Sequence, residues 1–174
     1  MKTTLLASIF LLGGTVSLGS QGRSVSIEST TDVLVACSLL TPAEVEAAVG
    51  TSVAQPVPDT GRLGEVPFSH CTYNTRNDAD LVAVLLTVYT YKSEAEVKAF
   101  IEKAREEVGA ETTPVMGIGD VAYWWKDKAT LFVSEGEHIL SVFLGPGVDE
   151  SLKAAQNIAQ KVVNRIRDGG VAAD

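Results

Sequence analysis

Residues 81–91 read LVAVLLTVYTY, an almost unbroken run of apolar and β-branched side chains. Such a run predicts a strand that is covered on most of both faces, and therefore the centre of a sheet. The stretch Ser69–Thr75 alternates between two faces and predicts a neighbouring strand. A polar turn at residues 76–80 is expected to join the two strands, so the core is built around residues 81–91.

Three further short strands are predicted at 121–126, 129–134 and 138–144. Because the connections between them are only about three polar residues long, these strands must form an antiparallel meander. Residues 51–67 contain several prolines and glycines, so we expect a loop there, with one short strand near Val53.

Three helices are predicted from their start signals. Thr41-Pro42-Ala43-Glu44 is a capping box with proline at the first helical position, and Gly50 ends that helix. Ser93-Glu94-Ala95-Glu96 is a second box that starts a helix with one apolar stripe, ending at Gly109. The last helix covers about 150–167. The order α-β-β-α-β-β-β-α predicts an α+β two-layer sandwich, in which three helices pack on a mainly antiparallel sheet of about five strands.

The N-terminus has the pattern of a secretory signal peptide. Lys2 is followed by an apolar stretch from Leu5 to Leu18 with no charged residue. We expect cleavage before Ser20, which makes residues 1–19 the signal and places the mature protein outside the cell or in the periplasm. The alternative is that the segment is retained as a membrane anchor.

The rest of the chain divides into a polar tether at 20–32, a single α+β domain at 33–168 and a tail at 169–174. The 174 residues carry 14 Lys+Arg against 22 Asp+Glu, a net charge of -8. An acidic protein repels phosphate backbones and anionic lipids, so nucleic acid is not expected as a partner. Membrane attachment is expected only if the N-terminal segment is retained or Cys37 is lipidated.

The chain has two cysteines, Cys37 and Cys71. In an exported protein we expect them to form a disulfide that closes a loop of about 35 residues. Leu34-Val35-Ala36 before Cys37 resembles a lipoprotein processing site, but charged residues separate it from the apolar segment. A catalytic Cys71 with His70 as its base is disfavoured, since neighbours on a strand point to opposite faces.

Few residues suggest catalysis or metal binding. His70 and His138 fall on different predicted strands, which gives no zinc ligand set and no cofactor site. Glu135 and Glu137 could orient His138 as a general base, but no nucleophile motif accompanies it. A histidine at a hairpin edge is the favoured interpretation, and no catalytic residue is assigned.

Two acidic turns have a structural interpretation and a ligand-binding alternative. Gly117-Ile118-Gly119-Asp120 precedes a strand rather than a helix, which favours a turn over a phosphate-binding loop. The glycines would supply positive φ angles and Asp120 a hydrogen bond that holds the turn. Asp78 and Asp80 leave a loop calcium site open.

The candidate binding surface consists of aromatic residues: Tyr89, Tyr91, Tyr123, Trp124 and Trp125. Alternation along a strand sends Tyr123 and Trp125 to one face and Trp124 to the other. Aromatic rings suit recognition because they offer a large contact area at a small entropic cost. The alternative is that the rings fill the core.

Several short motifs resemble those of a family of exported bacterial proteins, domain of unknown function 3558. The similarity covers about residues 33–167, and its signposts are Cys37-Ser38-Leu39-Leu40-Thr41, Glu44-Val45, Gly50, Cys71-Thr72-Tyr73 and Gly117-Ile118-Gly119-Asp120-Val121-Ala122-Tyr123-Trp124. The resemblance implies an envelope or secreted α+β domain with paired cysteines and no established activity. Many members are lipoproteins, whereas this chain has no well-placed lipidation motif.

Together these observations predict a non-enzymatic binding or interaction module of the cell envelope or extracellular space. Its partner would be a protein or a small-molecule ligand. The alternatives are a small secreted hydrolase, with His138 as its base, and a purely structural envelope protein.

Overall fold

The structure is a computed structural model that describes residues 33–108, 111–146, 148–149 and 151–169. The expected signal peptide and tether, and most of the expected tail, lie outside these residues. All the described residues belong to one compact unit. The helices of the described part are α1 (Pro42–Val49), α2 (Glu94–Val108) and α3 (Leu152–Arg167), with short 3-10 turns at Ala36–Ser38 and Lys126–Lys128.

The described strands are β1 (Val57–Leu63), β2 (Val66–Thr75), β3 (Asp78–Thr90), β4 (Thr112–Val115), β5 (Val121–Trp125), β6 (Thr130–Glu135) and β7 (His138–Leu144). They form one seven-stranded sheet in the order β1-β2-β3-β7-β6-β5-β4. Every pairing is antiparallel, so two meanders meet where β3 pairs with β7. The α+β class and the antiparallel sheet are confirmed.

The sheet has seven strands rather than the expected five or so, because two edge strands, β1 and β4, were not predicted. The segment 51–67, expected as a loop, contains β1, while Val53 makes only an isolated bridge to Thr75. Each edge strand contains a proline, Pro58 in β1 and Pro114 in β4. Proline removes one backbone donor, which an edge strand tolerates because that side of the strand has no partner. The order is α-β-β-β-α-β-β-β-β-α.

The central strand is longer than expected. β3 begins at Asp78, so the turn between it and β2 consists of Arg76 and Asn77 rather than residues 76–80. Its neighbours are β2 and β7, which confirms the central position predicted from residues 81–91.

One face of the sheet is covered by α1 and α3. Ala155, Ile158, Ala159 and Val162 of α3 are fully buried in the same cluster as sheet residues such as Leu140. The buried positions recur every three or four residues, as expected for one side of a helix.

The second helix packs on the other face, which corrects the expectation of two layers. Val97 of α2 is buried against Tyr91 and Ile139, a cluster separate from the main core. The 15 residues of α2 span about 22 Å. They lead from β3 to β4, four strand spacings or about 19 Å away. Because α1 and α3 already fill the first face, this crossover lies on the second.

One disulfide and two hydrogen bonds attach the segment before α1 to the sheet. The disulfide between Cys37 and Cys71, with an S–S distance of 2.04 Å, confirms the predicted pairing. Ser69 Oγ accepts a 3.0 Å hydrogen bond from the Ala36 backbone, and the Tyr73 hydroxyl donates a 2.6 Å bond to the Leu40 carbonyl. Burial, and then the nearby Glu44 carboxylate, raises the pKa of Tyr73, so this hydroxyl keeps its proton.

Candidate functional site

An apolar cavity lies between α2 and the second face of the sheet. Its volume is about 220 Å³. Phe100, Ile101 and Ala104 of α2 form one wall, and the opposite wall comprises sheet residues from β5, β6 and β7, namely Val121, Tyr123, Trp125, Phe132, Val133, Ser134 and Ile139. Arg105, Glu107 and Thr112 complete the lining. The walls therefore offer mainly hydrocarbon and aromatic surface.

The cavity exists because α2 is packed tightly only near its start. Val97 is 2% exposed, whereas Phe100, one turn further on, is 43% exposed. Ile101 and Ala104 are only half-buried. Well-packed interiors leave few voids larger than a water molecule, so the unfilled space between α2 and the sheet is a candidate binding site.

Register explains which sheet residues face the cavity. Tyr123 pairs with Phe132, and Val121 pairs with Ser134, so these side chains lie on one face. Trp125 belongs to the same alternating set, and Trp124 points to the opposite face, where it is 6% exposed in the main core. Alternation therefore separates the two tryptophans, as predicted.

Each aromatic ring of β5 on the cavity side has a cation above it. Arg105 Cζ lies 5.6 Å from the centre of the Tyr123 ring, and Lys128 Nζ lies 5.9 Å from that of Trp125. Such contacts favour the observed ring positions through cation–π attraction. Two neighbouring hollows also share Arg105 and Tyr123 with the cavity.

Trp125 has one unusual feature. Its indole nitrogen, Nε1, is buried, and no hydrogen-bond acceptor reaches it from the part of the chain that the structure describes. An indole N–H can only donate, so this group has no hydrogen-bond partner among the residues that the structure describes.

The other predicted aromatic residues are divided between two places. Tyr89 and Tyr91 lie on the α2 side, in the cluster with Val97 and Ile139. The centre of the Tyr91 ring lies 5.8 Å from the centre of the Phe100 ring. Burial raises the pKa of both tyrosines, and the nearby Tyr89 and Glu96 raise the pKa of Tyr91 further. The structure thus brings Tyr123 and Trp125 into the cavity wall, Tyr89 and Tyr91 into the adjoining cluster, and Trp124 into the core.

Neither histidine belongs to the cavity lining. His70 Nδ1 lies 2.7 Å from Thr87 Oγ1, and its ring is 4.4 Å from that of Phe68. His138 Nδ1 lies 3.3 Å from Thr90 Oγ1. Burial lowers the pKa of both histidines. The negative charge of Asp59 opposes this effect at His70, and the charges of Glu137 and Glu135 oppose it at His138. Glu135 is held by Arg167 through hydrogen bonds of 2.6 and 2.8 Å.

Asp120, in the turn at 117–120, and Asp78, which the structure places at the start of β3 rather than in a loop, both accept hydrogen bonds from backbone groups. Gly117 and Gly119 have φ angles of +83° and +60°, as predicted for a turn. Asp120 Oδ2 accepts a 2.9 Å bond from the Gly136 backbone, so it ties this turn to the hairpin between β6 and β7. Asp78 Oδ1 accepts a 3.1 Å bond from the Asp80 backbone. Within the described residues, no group of three or more His, Cys, Asp or Glu side chains is placed to hold a metal ion.

The α2 wall of the cavity was not predicted to be part of a site. Its apolar stripe of Val97, Phe100, Ile101 and Ala104 was predicted, but as a face buried on the same side as the other helices. The incomplete burial of Phe100 and Ala104 has no signal in the sequence, because periodicity gives the direction of a side chain and not its distance from the sheet.

No family model, curated protein or solved structure matches the chain. None of the helices in the described ranges is long and apolar enough to cross a membrane.

Proposed function

We propose that this chain is an exported, non-enzymatic binding domain whose site is the cavity between α2 and the sheet. The observation that carries the proposal is the cavity itself, about 220 Å³ of space with apolar walls. An engineered cavity of about 150 Å³ with such walls binds benzene. The occupant is therefore a small apolar molecule, or a small apolar part of a larger one.

Binding is favoured over hydrolysis because neither histidine is among the residues that line the cavity. His138 follows the alternation of Leu140 and Val142, which face α1 and α3. Hydrolysis would require a base within hydrogen-bond reach of a bound substrate. The described lining instead provides apolar side chains, a few hydroxyls and the charged rim residues Arg105 and Glu107.

Export is part of the proposal and rests on two observations. The N-terminal sequence has the pattern of a signal peptide. The disulfide between Cys37 and Cys71 is of the kind that persists in oxidising compartments. The mass of the protein recovered from the culture fluid or periplasm tests this point, because removal of residues 1–19 gives a defined mass.

Kinship with domain of unknown function 3558 is also proposed. The proposal is supported by the structural roles of the shared motif residues. Cys37 forms the disulfide with Cys71, Thr41 and Glu44 cap α1, and the Tyr73 hydroxyl donates a hydrogen bond to the Leu40 carbonyl.

The binding site is tested with cumene, a small apolar probe, and two matched variants of α2. Ala104 lines the cavity, whereas Ala99 on the same helix is exposed. Ala104→Phe should fill the space and abolish the rise in Tm that cumene produces, while Ala99→Phe should retain it. Absence of binding to the wild type, or equal effects of the two variants, would contradict the proposed site.

A further inference from the structure

We infer that the cavity between α2 and the sheet binds an organic cation of the quaternary ammonium class, and that its aromatic rings hold the charge. This inference rests on the proposed function, because it names the chemical class of ligand for the same cavity. The surface of a quaternary ammonium group consists of alkyl groups, so the group is an apolar occupant that also carries a positive charge.

The first step is the aromatic content of the walls. Four aromatic side chains line the cavity, namely Phe100 of α2, Tyr123 and Trp125 of β5, and Phe132 of β6. Within the described residues, none of these four rings makes a ring contact with another of the four. Stacking among them therefore does not occupy their faces. The face of an aromatic ring is partly negative and attracts a cation within about 6 Å of its centre.

The second step is that cations of the protein itself already lie over two of these rings. Arg105 Cζ lies 5.6 Å from the centre of the Tyr123 ring. Lys128 Nζ lies 5.9 Å from the centre of the Trp125 ring. The Arg105 side chain is exposed and has neither an ion pair nor a side-chain hydrogen bond with the described residues. A ligand cation can therefore replace it over the ring while the guanidinium turns to water.

The third step is the charge around the cavity. Glu107 lines the cavity, and Glu102 and Glu106 line the hollow that adjoins it. The helix α2 carries five glutamates against three basic residues, and the whole chain has a net charge of -8. A negative potential raises the local concentration of cations and opposes anions. The site therefore favours a positive ligand over a negative one of the same shape.

The fourth step is the kind of cation. A primary ammonium has three N–H donors, which need acceptors when they leave water. The cavity walls are mainly hydrocarbon and aromatic, so they suit a quaternary ammonium, which has no N–H group. Since a cavity of about 150 Å³ holds benzene, the space of about 220 Å³ accommodates one ring with a branched substituent.

The test uses two probes of the same shape, phenyltrimethylammonium and tert-butylbenzene, which differ in that a charged nitrogen replaces a neutral carbon. Benzylammonium is a third probe, because it combines a ring and a positive charge with three N–H donors. NMR titration measures the affinities. Comparing the ratio of phenyltrimethylammonium to tert-butylbenzene affinity between proteins cancels the different costs of removing each probe from water.

Two pairs of variants separate the effect of the rings from that of general charge. Tyr123→Leu removes a ring that lines the cavity. Its control is Phe68→Leu, which removes a half-buried ring on the same face of the sheet but outside the lining. Arg105→Gln and Lys103→Gln each remove one positive charge from α2, and of these two residues Arg105 is the one that lies over Tyr123.

We expect Tyr123→Leu to lower the affinity ratio roughly two- to thirtyfold, the range for one cation–π contact, and Phe68→Leu to leave it unchanged. Arg105→Gln should raise the ratio at least about twofold more than Lys103→Gln does, because it also frees the ring face for the ligand. The wild type should bind benzylammonium more weakly than phenyltrimethylammonium.

The outcomes separate the inference from the proposed function. The inference fails, while the proposed site stands, if tert-butylbenzene binds and phenyltrimethylammonium does not. It also fails if Tyr123→Leu leaves the ratio unchanged, or if Arg105→Gln and Lys103→Gln raise it equally. Tighter binding of benzylammonium than of phenyltrimethylammonium would show that the glutamates rather than the rings select the ligand, which contradicts the inference. If none of the probes binds to the folded wild type, the proposed function fails and the inference fails with it.

Discussion

Arg165 and Glu44 form two parallel hydrogen bonds, each 2.8 Å long, across a separation of 121 residues. Glu44 Oε2 also accepts a 3.0 Å bond from the Thr41 backbone, which completes the capping box of α1. Arg165 further donates to the Leu39 carbonyl. One carboxylate therefore caps the first helix and attaches it to the last, beside the segment held by the disulfide.

The first prediction concerns the pH dependence of this pair. Burial by itself would raise the pKa of Glu44, but hydrogen bonds from Arg165 and Thr41 outweigh it and lower the pKa from 4.5 to about 2. A lowered folded-state pKa stabilises the protein above the unfolded-state value, and this stabilisation is lost as the pH falls from 4.5 towards 2.

We therefore expect Glu44→Gln to lower the free energy of unfolding by about 1–2 kcal/mol at neutral pH, a value reduced for partial solvent exposure. The difference between variant and wild type should shrink as the pH falls below 4.5. Urea unfolding at a series of pH values measures it. A difference that stays constant down to pH 2 would show that the carboxylate charge is not responsible.

The second prediction concerns the disulfide. The double variant Cys37→Ser, Cys71→Ser should lose about 2–4 kcal/mol of stability, since the bond closes a loop with a separation of 34 residues. Urea unfolding of the variant and of the reduced wild type should agree. Intact mass before and after reduction should differ by two hydrogen atoms, and an added lipid mass on Cys37 would contradict the pairing.

The third prediction uses two glycines of one turn. At Gly119 a Cβ atom would collide with the Ser134 carbonyl oxygen and with Val133 Cγ1, whereas at Gly117 it would meet open space. Both have positive φ angles, so both alanine variants carry backbone strain of about 1 kcal/mol or more.

Gly119→Ala should therefore destabilise the protein by about 2 kcal/mol more than Gly117→Ala. Thermal unfolding of the two variants side by side measures the difference. Equal melting temperatures would mean that the close approach of Gly119 to β6 is unimportant.

The fourth prediction separates the two tryptophans. Trp124 is 6% exposed in the main core, so Trp124→Ala should cost about 3–5 kcal/mol. Trp125→Ala, which enlarges a cavity that already exists, should cost less. Chemical denaturation of both variants provides the comparison, and a larger loss for Trp125→Ala would reverse the assignment of core and site.

Local patterns were sufficient where the decisive interactions are short in range. The cap of α1 at Thr41 and Glu44 and the turn at Gly117 and Gly119 were predicted because neighbouring residues determine them. The strand β1 was missed because Pro58 and Gly61 are turn signals, and only its pairing with β2 makes it a strand.

The candidate site shows the same division between local pattern and distant packing. Alternation separated Tyr123 and Trp125 from Trp124, since the side-chain period of a strand is two residues. It gave no information on what covers either face. That depends on where α2 crosses the sheet, which is a matter of packing between distant parts of the chain.

Sequence patterns were enough to predict the α+β class, the central strand, the disulfide and the face to which each aromatic ring of β5 points. These follow from periodicity, composition and the presence of only two cysteines. Long-range packing places α2 on the opposite face from α1 and α3 and leaves an unfilled space between α2 and the sheet beyond Val97. Because α1 and α3 already cover one face of the sheet, the crossover helix α2 lies on the other face. There Val97 is buried but Phe100 is not, so α2 leaves an open space over Tyr123 and Trp125.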